Sequence, residues 1–314
     1  MRVSLLQNAV RRPAFHSAHA VGGIDPVAVW DFAQGEFPQG FGHTRASVGI
    51  GIDAMGNFAT IGANMLRYDR SKALPEVILE PGATNILSFG EARIGAGWTP
   101  SGASAVNLAL DALGQFAGCR VASNGATWHR LLHSERPVLA TGVPYRVTCW
   151  LELGSSDQAV IILRDNTGGT ESRLQTTISA ATVQSELAGQ ITDISTRVSL
   201  GVLELSCVFT PNFSRDVNFG IGPASSVAGQ DVIIFGAQVT MGTARSTYVH
   251  SFGGAATRAA DIVTWAAPSG EFDLRLTLGD GTHSDQTNIS TSSSWAPELP
   301  LRASKLALYP VGTL

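Results

Sequence analysis

From Trp98 to Asp261 the chain alternates apolar and polar residues in short runs, each closed by glycine, Asp-Asn or small polar residues. The runs "YRVTCWLELG", "AVIILRDN", "SRLQTTIS", "VLELSCVFT", "RDVNFGIG" and "DVIIFGAQVT" put every second side chain on one face. That is the period of a strand, not of a helix. Strands this short must bury their apolar faces against one another, so the predicted body is all-β, an antiparallel β-sandwich of the jelly-roll kind. The 34 glycines and 14 prolines fit such punctuation better than they fit long helices. One candidate helix stands in "ASAVNLALDALGQF", and a strand pair explains it nearly as well.

The sandwich, 98–261, is flanked by regions of shorter apolar pieces. Residues 29–97 read as β-hairpins broken by turns such as Met55-Gly56-Asn57. Residues 262–314 read as a C-terminal β region, with Asp280-Gly281 as a hairpin turn between two strands. Residues 1–28 form an expected docking arm; its first part is basic and free of acid, and a frayed terminus reads as well.

Charge and composition exclude several function classes. The net charge of −4 offers no basic field for a nucleic-acid backbone. An apolar share of 44% with 15% charged residues argues against disorder. Gln7 and Asn8 interrupt the first apolar run and Arg11 and Arg12 close it, so no signal peptide is expected. The apolar run "VIIFGAQV" is far shorter than the roughly 20 residues of a membrane span, and no membrane insertion is expected. Cys119, Cys149 and Cys207 are odd in number and lack any CxxC. Cys149 shares a face with Val147 and Leu151, and Cys207 with Leu205 and Phe209, so both read as small core residues and not as a disulfide framework or zinc site.

Catalytic patterns are weak. His129 and His133 in "HRLLH" would share a helix face as metal ligands, but the setting is a strand, where four residues span roughly 13 Å. A single ion with bonds near ~2 Å does not bridge that distance, so packing is the expected role and no metal is called. There is no nucleophile elbow, no phosphate loop, and Gly49, Gly51 and Gly56 miss the dinucleotide spacing. Cofactors are therefore not expected. Glu152, Asp157, Asp165, Glu171 and Glu204 leave a paired-carboxylate hydrolase open, although surface carboxylates ordinarily serve solubility.

Aromatic residues suggest a binding surface instead. Trp150 alternates with Glu152 on the face opposite Cys149, and Trp98 and Trp128 lie in Gly-rich, loop-like settings. Exposed indoles cover the C–H faces of sugars while polar groups fix the hydroxyls. The candidate carbohydrate contacts are Trp98, Trp128, Arg130, Trp150, Glu152, Asp165 and Asn166. The competing expectation is burial, the usual fate of tryptophan.

The passage "FGAQVTMGTARSTYVHSFGGAATRAAD" resembles the close of a module found in virion proteins of tailed bacteriophages and prophages. There a strand ending in Gly-Ala-Gln leads through a turn to Ser/Thr-Tyr-Ile/Val and then Thr-Arg-Ala-Ala-Asp. Upstream, "WDFAQGEFPQGFGHTRAS", "GNFATIGANMLRYD", "PEVILEPGATNIL" and "VPYRVTCWLELGSSDQAVIILRDN" are similar to its successive segments, and "LRLTLGDGTHSD" with "APELPLRASKLALYPV" to a β-tail that often follows. The similarity runs from about Trp30 to Val311. It departs where "SLGVLELS" replaces the usual Gly-Trp-Tyr-Arg and where Leu66 replaces a proline. The resemblance implies a virion surface spike, fibre or decoration protein with concanavalin-like or carbohydrate-binding-module-like sandwiches. Within that group it looks most like the head-spike fibre of gene transfer agents, which engages capsular polysaccharide. It further implies a non-enzymatic protein made in a bacterial cytoplasm, a homo-oligomer (trimer ahead of pentamer), a virion base as partner of the N-terminal region, and host polysaccharide as ligand. On this view the passage is scaffold.

Overall fold

A computed structural model describes residues 20–33, 38–54, 58–108, 118–127, 129–167, 171–186, 190–199, 201–293 and 295–314. Among these the regular structure is all strand, paired almost throughout in antiparallel fashion. The first nineteen residues of the arm, the Met55-Gly56-Asn57 turn, Trp128 and the second half of the candidate helix lie outside the described residues. The first half of that candidate is the strand Ala103–Asn107, paired with Cys119–Ser123.

Two sheets form the sandwich. In the first, Ala103–Asn107, Cys119–Ser123, Asp231–Met241, Tyr145–Leu153, Val202–Phe209 and Ile191–Ser199 lie in that order. In the second the order is Thr182–Glu186, Glu171–Thr177, Gln158–Asp165, Arg215–Pro223, Arg130–His133, Gly97–Ser101 and Arg93–Ile94. Alternation seats one face of each sheet in a shared core: Val147, Cys149 and Leu151 from the first meet Ile161, Leu163, Phe219 and Leu131 from the second. All three cysteines are free and buried, Cys149 and Cys207 within this core. Burial holds the Cys119 and Cys207 thiols up at about 11 and about 12.

The stretches on either side of the sandwich share strands. Ala28–Asp31 pairs with Lys305–Pro310, Phe41–Thr44 with Ile262–Trp265, and Glu76–Leu79 with Leu301–Ala303. Trp30, Phe32, Phe41 and Trp265 pack there edge to face, with Trp30 and Trp265 centroids 5.0 Å apart. Residues 29–97 and 262–314 thus build one terminal core together, while Ala83–Asn85 and Arg93–Ile94 are already in the sandwich sheets. Pairing between chain ends leaves no local pattern, which is why the sequence separates these regions. The hairpin at Asp280-Gly281 forms as expected, with Gly281 at φ +85°, a conformation side-chain-bearing residues avoid.

A buried ionic seam ties the terminal core to the sandwich. Asp261 accepts from Arg45 Nη1 at 3.1 Å, Arg67 Nη2 at 2.5 Å, His43 Nε2 at 2.9 Å and the Glu80 N–H at 2.8 Å. Glu80 in turn takes Arg67 Nη1 at 3.0 Å, Arg258 Nη2 at 3.1 Å and the Thr247 N–H. Arg45, Arg67 and Arg258 are 0, 0 and 2% exposed. Burial alone would raise the two acids; the hydrogen bond from His43 and the Arg67 charge take Asp261 well below the usual range, and Arg67 with Arg258 does the same for Glu80. Gln238 locks the exit segment, residues 242–261 after the strand Asp231–Met241: its Nε2 donates to the Ser246 carbonyl at 3.1 Å and its Oε1 accepts from the Val249 N–H at 2.9 Å.

Candidate functional site

The outward face of the second sheet carries the candidate site, because its alternation leaves a trough in the middle. On Gln158–Asp165 the outward residues Val160 and Ile162 are apolar. They pair across to Gly222 and Gly220 on one side and to Gln175 and Arg173 on the other. Two glycines in the middle of a sheet are costly to its stability, and here they make room. A Cβ at Gly222 would sit 2.4 Å from the His129 carbonyl oxygen, and one at Gly220 would sit 2.6 Å from Arg130 Cδ. The Arg130 side chain therefore runs across the glycine strand toward Ile162. The resulting groove encloses about 550 Å³, with Val160 and Ile162 as floor and Arg130, His129, Arg173 and Gln175 among its walls.

Its electrostatics are one-sided. Burial, offset by Glu171 and reinforced by the like charges of Arg164 and Arg173, brings Arg130 down to about 10. Gln175 Nε2 donates to Gln158 Oε1 at 3.1 Å on the open side. His129 Nδ1 donates to the Ala126 carbonyl at 2.8 Å, which fixes the ring at the rim. Apolar floor, planar polar groups and guanidiniums are the equipment for holding a polyhydroxylated ligand by its faces and edges.

Of the sequence candidates among the described residues, Arg130 lines this groove and the others do not. Trp98 is 1% exposed, donates from Nε1 to the Phe89 carbonyl at 2.9 Å and packs against His133 and Phe219. Its glycine-rich flank, which reads as loop, is the edge of the strand Gly97–Ser101, so Trp98 is core and the expectation of sugar contact is corrected. Trp150 does face away from Cys149, but Tyr248 of the exit segment covers it with ring centroids 5.1 Å apart, and it too is 1% exposed. A covering segment nearly a hundred residues distant leaves no trace in the run "TCWLE". Trp128 lies outside the described residues; its sequence neighbours Thr127 and His129 both line the groove. Glu152 stands half-buried on the first sheet, away from the groove.

Asp165 and Asn166 sit at the end of the second sheet. Asp165 Oδ1 accepts from the Thr167 N–H at 2.9 Å and its Oδ2 lies 3.5 Å from Arg215 Nη1. Asn166 donates to Asp216 at 2.9 Å and accepts from Asn218 at 3.1 Å. Both hold the sheet end, and neither lines the groove. Of the five carboxylates weighed for hydrolysis, Glu152 and Glu204 stand on the first sheet, Glu171 and Asp165 on the second, and Asp157 in the connection between Tyr145–Leu153 and Gln158–Asp165, where it accepts from the Ser179 N–H. His133 turns into the core beside Trp98 while His129 lines the groove, so the pair shares no ligand position. Among the described residues no group of three or more His, Cys, Asp or Glu is placed to hold a metal ion. Sequence reasoning missed Arg173, Gln175, Val160 and Ile162. The signal for them was present in "SRLQTTIS" and "FGIG": a polar outward row on one strand, beside glycines at alternate positions on another.

A second cavity, of about 340 Å³, lies between the exit segment and the strand Gly49–Ile52, lined by Tyr248, His250, Glu91 and Ile50. His250 Nε2 and Glu91 Oε1 meet at 2.9 Å at its mouth.

No protein-family model matches the chain, and no curated protein matches it. Among solved structures, the CBM22-1–GH10 modules of Clostridium thermocellum endo-1,4-β-D-xylanase 10B, complexed with xylohexaose, match at 15% identity and a TM-score of 0.31. The match covers 51% of this chain and 28% of that one.

Proposed function

We propose that the protein is a non-enzymatic attachment protein displayed on the surface of a phage-like particle, and that the groove of the second sheet binds a glycan of the host cell. The observation that carries the binding half of this reading is the groove: an apolar floor between two glycines and a row of planar polar side chains, on a face that the other described residues leave open. The particle half rests on the motif resemblance, now with a physical reason for the motifs, since Arg45, Arg67, Glu80, Arg258 and Asp261 of those segments make the buried seam. The N-terminal region would dock to the virion base, and sister copies would form a rotationally symmetric homo-oligomer, trimer ahead of pentamer. Single-site affinity is weak, because solvated hydroxyls gain little on leaving water, and several copies on one particle supply avidity.

The test uses the full chain on a glycan array and on purified host capsule, beside Gln175→Ala in the groove and Glu152→Ala on the other sheet. Binding is expected for the parent and for Glu152→Ala, and weakened binding for Gln175→Ala. Failure of a verified oligomer to bind any glycan, or equal binding by both variants, refutes it. A purely structural decoration protein is the second reading, and one observation favours it: Trp30, Trp98, Trp150 and Trp265 are all at most 2% exposed, so no stacking platform stands among them. A null array result with intact particle assembly selects that reading. Release of reducing ends from capsule selects a depolymerase instead.

A further inference from the structure

We infer that the cavity between the exit segment and the strand Gly49–Ile52 is a second ligand site, one that takes a single uncharged sugar ring. Among the described residues it shares no lining with the groove, and it holds or fails independently of it. Three pieces of chain that lie far apart in sequence make its walls. On the strand, alternation decides which side chain enters. A Cβ at Gly49 would point into the seam, 2.6 Å from Arg67 Cδ, so Ile50 takes the other face and meets Trp150 and Tyr248. Thr60, on the paired strand Phe58–Ile61, stands across from Ile50 and is exposed at the rim. The exit segment supplies Tyr248 beneath and His250 at the mouth, and Glu91 comes from the stretch that bridges to Gly236. Gly90 makes room for this arrangement, since a Cβ there would sit 2.5 Å from the Tyr248 hydroxyl oxygen.

The chemistry of the walls selects the ligand. The floor is apolar, with Ile50, Tyr248 and Val249 all buried. The rim carries the hydroxyls of Ser47, Thr60 and Thr257, a group that both donates and accepts. His250 is half exposed, and its ring is held from two sides: Nε2 meets Glu91 Oε1 at 2.9 Å, and the Tyr248 ring stands at 72° to it with centroids 6.2 Å apart. A pinned planar ring beside an apolar floor offers a face to the C–H groups of a pyranose, while the Glu91 carboxylate and the rim hydroxyls take its hydroxyls. The charges point to an uncharged ligand. At the mouth, carboxylate and imidazole answer each other, and Arg258 at the base is held by Glu80 at 3.1 Å and by the Pro81 carbonyl at 2.8 Å. A charged sugar would have to break one of these pairs to gain a partner. The cavity, at about 340 Å³, is near the lower end of the ~300–1,000 Å³ typical of ligand pockets, which fits one ring and not a chain.

The experiment is saturation-transfer NMR and titration of the full chain with the methyl glycosides of glucose, galactose, mannose, xylose, rhamnose and N-acetylglucosamine, beside glucuronate, glucosamine and cyclohexanol. At least one uncharged glycoside is expected to bind and to shift the ring protons of His250. Those of His129 in the groove and His283 on the C-terminal hairpin should stay in place. Glu91→Gln should weaken that binding about tenfold or more, the scale of a lost hydrogen bond to a charged group. Thr60→Trp, at an exposed position, should block the cavity and abolish binding, while Glu152→Ala on the first sheet should leave it unchanged. Circular dichroism verifies each fold. Shifts at His129 in place of His250 put the sugar in the groove and overturn the inference, as does unchanged affinity in Thr60→Trp or Glu91→Gln. Equal affinity for glucuronate or glucosamine overturns the uncharged class, and equal affinity for cyclohexanol overturns the sugar. Absence of binding by every single ring overturns the second site and leaves the groove, whose test uses glycan arrays and capsule, as it stands.

Discussion

Replacing Asp261 by asparagine should be among the most damaging isosteric changes available in this chain. The carboxylate is fully buried and accepts from His43, Arg45, Arg67 and the Glu80 backbone at 2.5–3.1 Å, with Arg258 Nη1 3.8 Å away. Asparagine keeps the shape and one acceptor oxygen but leaves three buried guanidiniums facing Glu80 alone. Removing one partner of a buried ion pair typically costs about 3–5 kcal/mol, because the partner left behind is a desolvated charge. The four contacts act as a unit, so their single values do not add to a larger figure. The matched control is Asp285→Asn, which breaks the Arg275–Asp285 pair at 2.7 Å on the surface and should cost about 1 kcal/mol or less. Equilibrium urea unfolding at neutral pH, followed by tryptophan fluorescence and by far-ultraviolet circular dichroism, reads both. The gap between the variants should also narrow in acid. Asp261 and Glu80 are held below their unfolded values of 3.8 and 4.5, so their contribution is complete above those values and is lost as pH falls through the lower folded ones. A loss for Asp261→Asn no larger than for Asp285→Asn would show that the seam is not what holds the terminal core to the sandwich.

Acrylamide should leave Trp30, Trp98, Trp150 and Trp265 unquenched, since all four are buried; quenching of these four would contradict their placement. Ellman's reagent should find no thiol in the native protein and three in guanidinium, because burial raises the thiols of Cys119 and Cys207 to about 11 and about 12 and that of Cys149 well above its ordinary value. His250 should titrate above 6.5 by proton NMR, the hydrogen bond to Glu91 outweighing partial burial, and Glu91→Gln should return it toward that value. Its part of the pair's stability is complete below pH 6.5 and lost as pH rises through the raised folded value, while the Glu91 part is complete above 4.5 and lost as pH falls through its lowered one. A midpoint at or below 6.5 in the parent would refute the pair.

What was legible in the sequence was whatever a strand reports locally. The period-2 faces of Tyr145–Leu153, Gln158–Asp165 and Val202–Phe209 stand as read, with Cys149 and Cys207 in the core. His133 lies on a strand and turns toward Trp98 while His129 lines the groove, and the Asp280-Gly281 turn closes its hairpin. The face of Trp150 was also read correctly. Its cover was not, because Tyr248 reaches it from a segment with no regular pattern. Long-range closure hid the terminal core in the same way, since Ala28–Asp31 and Lys305–Pro310 are the first and last strands of the described residues. At the groove, aromatic residues drew attention that belonged to Gly220, Gly222, Arg173 and Gln175, none of which stands out until two neighbouring strands are set in register.

Among the described residues arginine is buried in three places: the seam, the groove, and Arg146 on the first sheet, which donates to the Thr243 carbonyl and pairs with Asp193. In the seam, each guanidinium is answered by a carboxylate supplied from elsewhere in the chain, and the motif residues that make these pairs are accounted for by cohesion alone. In the groove the chain accepts a weaker sheet: Gly220 and Gly222 occupy a strand flanked on both sides, at a cost of roughly 0.5–1 kcal/mol each relative to a residue with a side chain. Close packing is the return: a Cβ at Gly220 would collide with Arg130 and Leu132, and one at Gly222 with the His129 carbonyl, so the glycines let the neighbouring strand lie close. What Gly220 leaves is room for the Arg130 side chain beside the apolar floor of Val160 and Ile162. On the proposed reading it is this face of the sheet, and not the seam, that meets a ligand.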